Sequence, residues 1–170
     1  VGIPLSSVEL KIVTEQGKPA EVNEIGMLWV KGPNVMAGYY NDRERTNLVI
    51  KDGWLCTGDL ALFTESGLLK IIGRKDDLII KGGMNIYPAE IESTLKSDPR
   101  VRELYVYGHC DAKLGMQIML DIAGDFTDSA QVRTLCRELL PGYQMPARIS
   151  LVWELPKNGS GKIVRRGFYD

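Results

Sequence analysis

Apolar and polar residues alternate over Val8–Val13, which puts Val8, Leu10 and Ile12 on one face and predicts a β-strand. Met27–Lys31 predicts a second short strand, bounded by Gly26 and by Gly32-Pro33. Arg43–Ile50 reads as a helix of about two turns, ended by the turn signal Lys51-Asp52-Gly53. Leu60–Phe63 and Leu68–Ile72 flank Thr64-Glu65-Ser66-Gly67 and predict a β-hairpin. The polar run Gly73-Arg74-Lys75-Asp76-Asp77 follows an apolar strand and is the best candidate for a domain junction.

Beyond that run the pattern becomes α+β. Leu78–Ile80 is a short apolar stretch broken by Gly82-Gly83. Pro88 suits the first position of a helix over Pro88–Lys96, where its missing N–H is not needed, and Ile91 and Leu95 would face the core. Asp98-Pro99 stops that helix. Val101–Tyr107 and Met116–Ala123 predict two strands. Thr127 or Asp128 can cap a helix running to Leu140, with Val132, Leu135, Cys136 and Leu139 at three/four spacing. Ile149–Trp153 predicts a third strand, and Arg165–Tyr169 a last short helix. No internal repeat or low-complexity tract interrupts the pattern.

With 170 residues, 44% hydrophobic and 25% charged, the chain has the composition of a soluble globular protein of one ordinary domain or two small ones. A net charge of −1 argues against nucleic acid or a membrane surface as the main partner. No apolar run reaches the length of a membrane span, and the opening residues carry no signal-peptide pattern. Val1-Gly2-Ile3-Pro4-Leu5 reads like the middle of a domain, so the sequence is expected to be part of a longer protein. Cys56, Cys110 and Cys136 form no C-x-x-C pair, which fits free thiols in a reducing, cytoplasmic setting. His109 is the single histidine and is expected in a loop after a strand. Beside Cys110 alone it makes a poor metal site, and no metal ligands are assigned.

Three segments carry glycine and charge beyond what a plain fold requires. In Trp54-Leu55-Cys56-Thr57-Gly58-Asp59-Leu60 the carboxylate of Asp59, between a turn and a strand, can accept hydrogen bonds from vicinal hydroxyls such as those of a ribose. A turn Asp satisfying nearby backbone N–H groups is the competing reading. In Gly73-Arg74-Lys75-Asp76-Asp77 followed by Lys81-Gly82-Gly83, a guanidinium after a strand can reach a hydroxyl or phosphate, and paired glycines admit a ligand close to the backbone. A solvated turn and a tight loop account for the same residues. Gly159-Ser160-Gly161-Lys162 looks like the end of a P-loop, but Pro156 stands where the first glycine is needed and Ile163 where Ser or Thr is needed. What remains is one lysine on a flexible glycine loop, or a plain surface lysine.

Taken in order, these segments resemble the adenylate-forming superfamily, which includes acyl- and aryl-CoA synthetases, peptide-synthetase adenylation domains and luciferases. Val1-Gly2-Ile3-Pro4-Leu5 is similar to its V-G-x-P-L. Gly26–Gly32 with Gly38-Tyr39-Tyr40 resembles G-E-L-x-V-x-G…G-Y-x, and Gly53–Asp59 resembles G-W-x-x-T-G-D. Gly73–Asp76 and Gly83–Glu92 resemble G-R-x-D…G-x-N-I-x-P-x-E-I-E. Leu140–Pro146 resembles L-P-x-Y-x-x-P, and Pro156–Ile163 resembles P-K-x-x-x-G-K-I. Met27 replaces a common Glu, and Gly115-Met116 a frequent Gly-Glu; both are expected on structural strands.

The resemblance implies an α+β chain. Residues 1–75 would be the β-rich, distorted barrel-like end of a large AMP-binding domain. Residues 76–170 would be a small mobile domain with a three-stranded sheet, a hairpin and flanking helices. It implies an AMP-forming acid–thiol ligase that activates a carboxylic acid with ATP and passes it to CoA, as in fatty-acid metabolism. Asp59 would hold the ribose of ATP or AMP with support from Arg74. Asp76 would be the hinge and Lys162 the catalytic lysine, also in contact with ATP. Lys81, Gly82 and Gly83 would line the CoA path. Magnesium ligands, the phosphate loop and the acyl pocket have no counterpart in this sequence, so the chain alone is expected to be inactive, and a truncated chain could self-associate. The alternatives are an adenylation unit that loads a carrier-protein thiol, and a non-catalytic binding module built on the small domain.

Overall fold

The computed structural model describes residues 2–164, so the helix expected over Arg165–Tyr169 lies outside the described residues. The architecture is α+β and strand-rich, and the chain divides into two compact units, Val1–Asp76 and Asp77–Asp170.

The first unit is a curled, half-barrel sheet. It contains β1 (Glu9–Val13), β2 (Gly26–Lys31), helix α1 (Arg43–Val49), β3 (Ile50–Lys51), β4 (Trp54–Phe63) and β5 (Leu69–Arg74). The long β4 organises it. On one side β4 pairs antiparallel with β2. On the other, its first residues pair with β3 and its last with β5. Asp52 and Gly53 both adopt positive φ between Lys51 and Trp54, which are paired across the turn. This is the geometry of a two-residue hairpin turn, and Asp-Gly is well suited to it. The alternating apolar positions meet on one face, where Ile12, Leu28, Ala61 and Leu69 are buried, with Leu10, Val30 and Phe63 against them. Helix α1 buries no residue in this core.

The second unit has the larger core. It contains the hairpin β6 (Ile79–Lys81) and β7 (Met84–Ile86), helix α2 (Pro88–Leu95), β8 (Val101–Asp111), β9 (Gly115–Gly124), helix α3 (Ser129–Leu139) and β10 (Arg148–Leu151). The three-stranded sheet has the order β10-β9-β8, with β8 antiparallel and β10 parallel to β9. Pro88 occupies the start of α2, and Ile91 and Leu95 are fully buried. Each contributes about 1.5–3 kcal/mol relative to exposure. They pack with Ile79, Ile86, Leu104, Val106, Ile118, Leu120, Ile122 and the inner face of α3. Asp128 is the cap of α3, its carboxylate accepting the N–H groups of Ala130 and Gln131 at 2.9 and 3.0 Å.

Three local expectations are corrected. Leu139 does not face the core but is 38% exposed, because the helix ends there and Leu140, in extended backbone, turns inward instead. His109 is not in a loop. It pairs with Gln117 inside the β8–β9 hairpin, which runs on to Asp111 and Gly115. There the Asp111 carboxylate accepts the N–H groups of Lys113 and Leu114 and closes the turn, and these bonds hold its pKa below the usual carboxylate value. Asp59 does not lie between a turn and a strand but inside β4, which already begins at Trp54. Among the described residues no helix is long and apolar enough to cross a membrane.

Candidate functional site

Asp59 owes its place to a bulge in β4. Opposite it, β2 advances two residues from Met27 to Trp29 while β4 retreats four, from Leu60 to Cys56. The two surplus residues fall in Thr57-Gly58-Asp59, and Gly58 takes them up at φ +78. The Thr57 hydroxyl ties the bulge together. It donates to the Leu28 carbonyl at 3.1 Å and accepts the Asp59 N–H at 3.0 Å. The bulge uses a hydroxyl at 57, a residue that tolerates the left-handed region at 58, and only the backbone N–H at 59, so the Asp59 carboxylate has no part in closing it.

Arg74 lies directly across the ladder from Asp59. Its Nη1 donates to Asp59 Oδ1 at 3.3 Å and to the Thr57 carbonyl at 3.3 Å. The guanidinium covers the bare face of Gly58, where an added Cβ would stand 3.0 Å from Nη2. The side chains of Arg74 and Asp59 are 51% and 30% exposed, so the pair stabilises the fold by no more than about 1 kcal/mol. Its chemical potential is greater. Asp59 Oδ2 has no partner among the described residues, and the guanidinium retains donors beside it. A ligand with vicinal hydroxyls finds an acceptor and a donor side by side, on backbone fixed by three strands.

This bulge makes a specific demand on residue 58. Gly58→Ala is expected to destabilise the protein by roughly 1–2 kcal/mol in urea unfolding, the cost of a left-handed conformation for an L side chain, and to displace Arg74. Gly17→Ala, at φ +77 with open space around the new Cβ, carries the first cost without the second. Only the Gly58 variant should therefore disturb the Asp59–Arg74 pair as well as the backbone.

In the second unit Lys81, Gly82, Gly83 and Met84 form the tip of the β6–β7 hairpin. Lys81 pairs with Met84, and the two glycines turn the chain at φ +57 and +78. Neither glycine has a heavy atom within 4 Å of its missing Cβ, so the tip presents open backbone. Asp76 is exposed in the short 3₁₀ turn Lys75–Asp77, at the last residue of the first unit.

Lys162 also lies in the second unit, on a turn closed by the Lys157–Ile163 bridge. The loop is less bare than its glycines suggest. The Asn158 side-chain oxygen accepts from Ser160 N, Ser160 Oγ and Lys162 N at 3.1, 2.8 and 3.0 Å. Asn158 N–H donates to the Lys162 carbonyl at 2.8 Å. Lys162 is exposed and borders a cavity of about 690 Å³ lined by Glu92, Lys96, Tyr105, Asn158 and Ile163. The neighbouring Lys157 is engaged instead with the carboxylates of Glu103 and Glu154.

The structure thus brings Asp59 and Arg74 together, and sets Lys162, Lys81, Gly82 and Gly83 on the second unit. It adds Thr57, Asn158 and Glu103, to which the sequence reading gave no role. Asn-Gly-Ser-Gly is a local signal for a side-chain-capped turn. Glu103 has no local signal, because its partner is 54 residues away.

Comparison with known proteins places these features in context. The family model described as AMP-binding enzyme matches residues 1–40, and AMP-binding enzyme C-terminal domain matches residues 90–162. The chain is 39% identical over 172 residues to a long-chain-fatty-acid–CoA ligase of Haemophilus influenzae, covering 100% of this chain and 31% of that protein. It is 44% identical over 168 residues to a 2-succinylbenzoate–CoA ligase of Geobacillus kaustophilus, covering 97% and 34%. The o-succinylbenzoate CoA synthetase of Bacillus subtilis, solved with its acyl-adenylate intermediate, superposes with a TM-score of 0.87 at 39% identity, covering 98% of this chain and 34% of that one. The chain spans about a third of the length of the relatives it matches.

Proposed function

Because the chain belongs to the family of AMP-binding enzymes, we propose that it is the ribose-gripping and lysine-bearing part of an ATP-dependent acid–thiol ligase that forms acyl-CoA and releases AMP. The observation that carries this reading is the Thr57-Gly58-Asp59 bulge, which holds one carboxylate oxygen against Arg74 and leaves the other for a ligand.

In this reading Asp59 accepts the ribose hydroxyls of ATP and then of the acyl adenylate, and Arg74 supports the same sugar. The substrate carboxylate attacks the α-phosphate. A carboxylate–phosphorus bond forms, the bond to the β-phosphate breaks, and pyrophosphate leaves. Negative charge builds on the phosphoryl oxygens, and the Lys162 ammonium neutralises it. The CoA thiol, losing its proton, then attacks the acyl carbonyl and AMP leaves. Lys81, Gly82 and Gly83 serve that second step, since the open hairpin tip lets a thiol-bearing arm pass close to backbone. Asp76 serves as the hinge between the two steps, supported by its place in an exposed 3₁₀ turn at the end of the first unit. Among the described residues no group of three or more His, Cys, Asp or Glu side chains could hold a metal ion, so no step is assigned to magnesium through this chain.

The test is the product spectrum of the full-length enzyme that contains this sequence. With a carboxylic acid and ATP, AMP release should depend on CoA. Acid-dependent pyrophosphate exchange with AMP release only upon addition of a carrier protein would favour the carrier-loading alternative. Formation of ADP would overturn both.

A further inference from the structure

The Pro156–Ile163 segment holds two lysines, and the structure distinguishes them. The Lys157 ammonium lies between Glu103 and Glu154, whereas Lys162 makes no ion pair among the described residues. Glu103 stands on β8. Its Oε2 accepts the Leu155 N–H at 3.3 Å while its Oε1 takes the Lys157 ammonium. The bond to Lys157 keeps the Glu103 carboxyl below its ordinary pKa, so it stays charged at neutral pH. Leu155 is 3% exposed, so the limb entering the turn is buried where Glu103 grips it. From there the chain reaches Asn158, whose side-chain oxygen and backbone N–H hold the N–H and C=O of Lys162.

We infer that Glu103 and Asn158 are positioning residues for Lys162: Glu103 moors the entering limb of the turn through Leu155 and Lys157, and Asn158 fixes the main chain of the lysine. This inference rests on the reading of Lys162 as the residue that acts on the α-phosphate. The physical reason is entropic. A Gly-Ser-Gly segment has wide backbone freedom in its loose form, and ordering it at the moment of reaction would slow the step. A turn already closed on Asn158 and anchored on the sheet leaves only the lysine side chain to be ordered. The ion pair also occupies Lys157, so the second cation of the segment does not compete for the phosphate.

The experiment compares Asn158→Ala, Asn158→Asp, Glu103→Gln and Lys162→Ala in the full-length enzyme. Two rates are read from each preparation: acid-dependent ATP–pyrophosphate exchange, and thioester formation from supplied acyl adenylate. Asn158→Ala and Glu103→Gln should each lower kcat of exchange about tenfold, with KM for ATP within about twofold and the thioester rate within about threefold. Asn158→Asp keeps the acceptor oxygen and should stay within about threefold of the parent in exchange. The thioester rate serves as the folding control for every variant. An Asn158→Ala enzyme that exchanges as the parent does, or loses both rates together, overturns the positioning role. If Lys162→Ala slows exchange and the other variants do not, the positioning role alone fails. If Lys162→Ala also leaves exchange intact, the reading of Lys162 fails and this inference with it.

Discussion

Replacing Lys162 with alanine in the full-length enzyme should lower acyl-adenylate formation by about 10²–10³-fold, while thioester formation from supplied adenylate falls by less than about tenfold. The asymmetry follows from charge. In the first step a carboxylate approaches a phosphate, and both reacting partners are anionic. An ammonium that meets the developing charge is worth most there. In the second step the bond being broken is the acyl–phosphate bond, and the nucleophile arrives at carbon. Single-turnover rates for each half-reaction measure the difference. Equal losses in the two steps would assign Lys162 a general binding or structural part. The side chain is exposed, so truncating it removes no core packing, and the loss is not expected to arise from unfolding.

Asp59→Ala is expected to reduce kcat/KM for ATP by about 10²-fold or more, because hydrogen bonds to a charged acceptor are worth about 1.5–3 kcal/mol each and a ribose offers two hydroxyls. Asp59→Asn retains one acceptor oxygen and should lose less. The fold itself should scarcely notice either change. The Asp59–Arg74 pair is only partly buried, so stability measured by urea unfolding should change by no more than about 1 kcal/mol. A variant of normal stability with poor ATP use is the expected phenotype. An Asp59→Ala enzyme that uses ATP within about threefold of the parent would contradict the assignment.

The parts of this fold that sequence alone made legible are those governed by local chemistry. Asp52-Gly53 and Gly82-Gly83 supply consecutive positive-φ positions and become two-residue hairpin turns. Pro88 opens its helix, and Ile91 and Leu95, one turn apart, are both buried. Long-range pairing was not legible. Asp59 was expected between a turn and a strand because Thr57-Gly58 reads as punctuation. In the fold those two residues are absorbed as a bulge, since β2, β3 and β5 hold β4 on both sides. His109 was expected in a loop because nothing local reveals that Gln117 pairs with it. Leu139 fits the helical period but falls at the helix end, where Leu140 takes the inward place.

The candidate site divides along the same line. Asp59, Arg74 and Lys162 stood out by residue type and motif order. That Asp59 and Arg74 would face each other across one ladder, with Gly58 leaving room for the guanidinium, is a matter of register. The anchoring of the Lys162 turn is further from reach, because it joins Glu103 on β8 to Lys157 through tertiary structure. The three free cysteines and the single histidine take no part in either half of the proposed chemistry.

The central claim is that the Asp59 carboxylate recognises a sugar diol, and deleting the diol from the ligand probes it most directly. Calorimetry on the full-length enzyme would compare AMP with 2′,3′-dideoxy-AMP, each against the parent and Asp59→Ala. The account predicts that the substitution weakens AMP by about tenfold or more and leaves the dideoxy nucleotide within about twofold. Equal weakening of both nucleotides, or of neither, would contradict it.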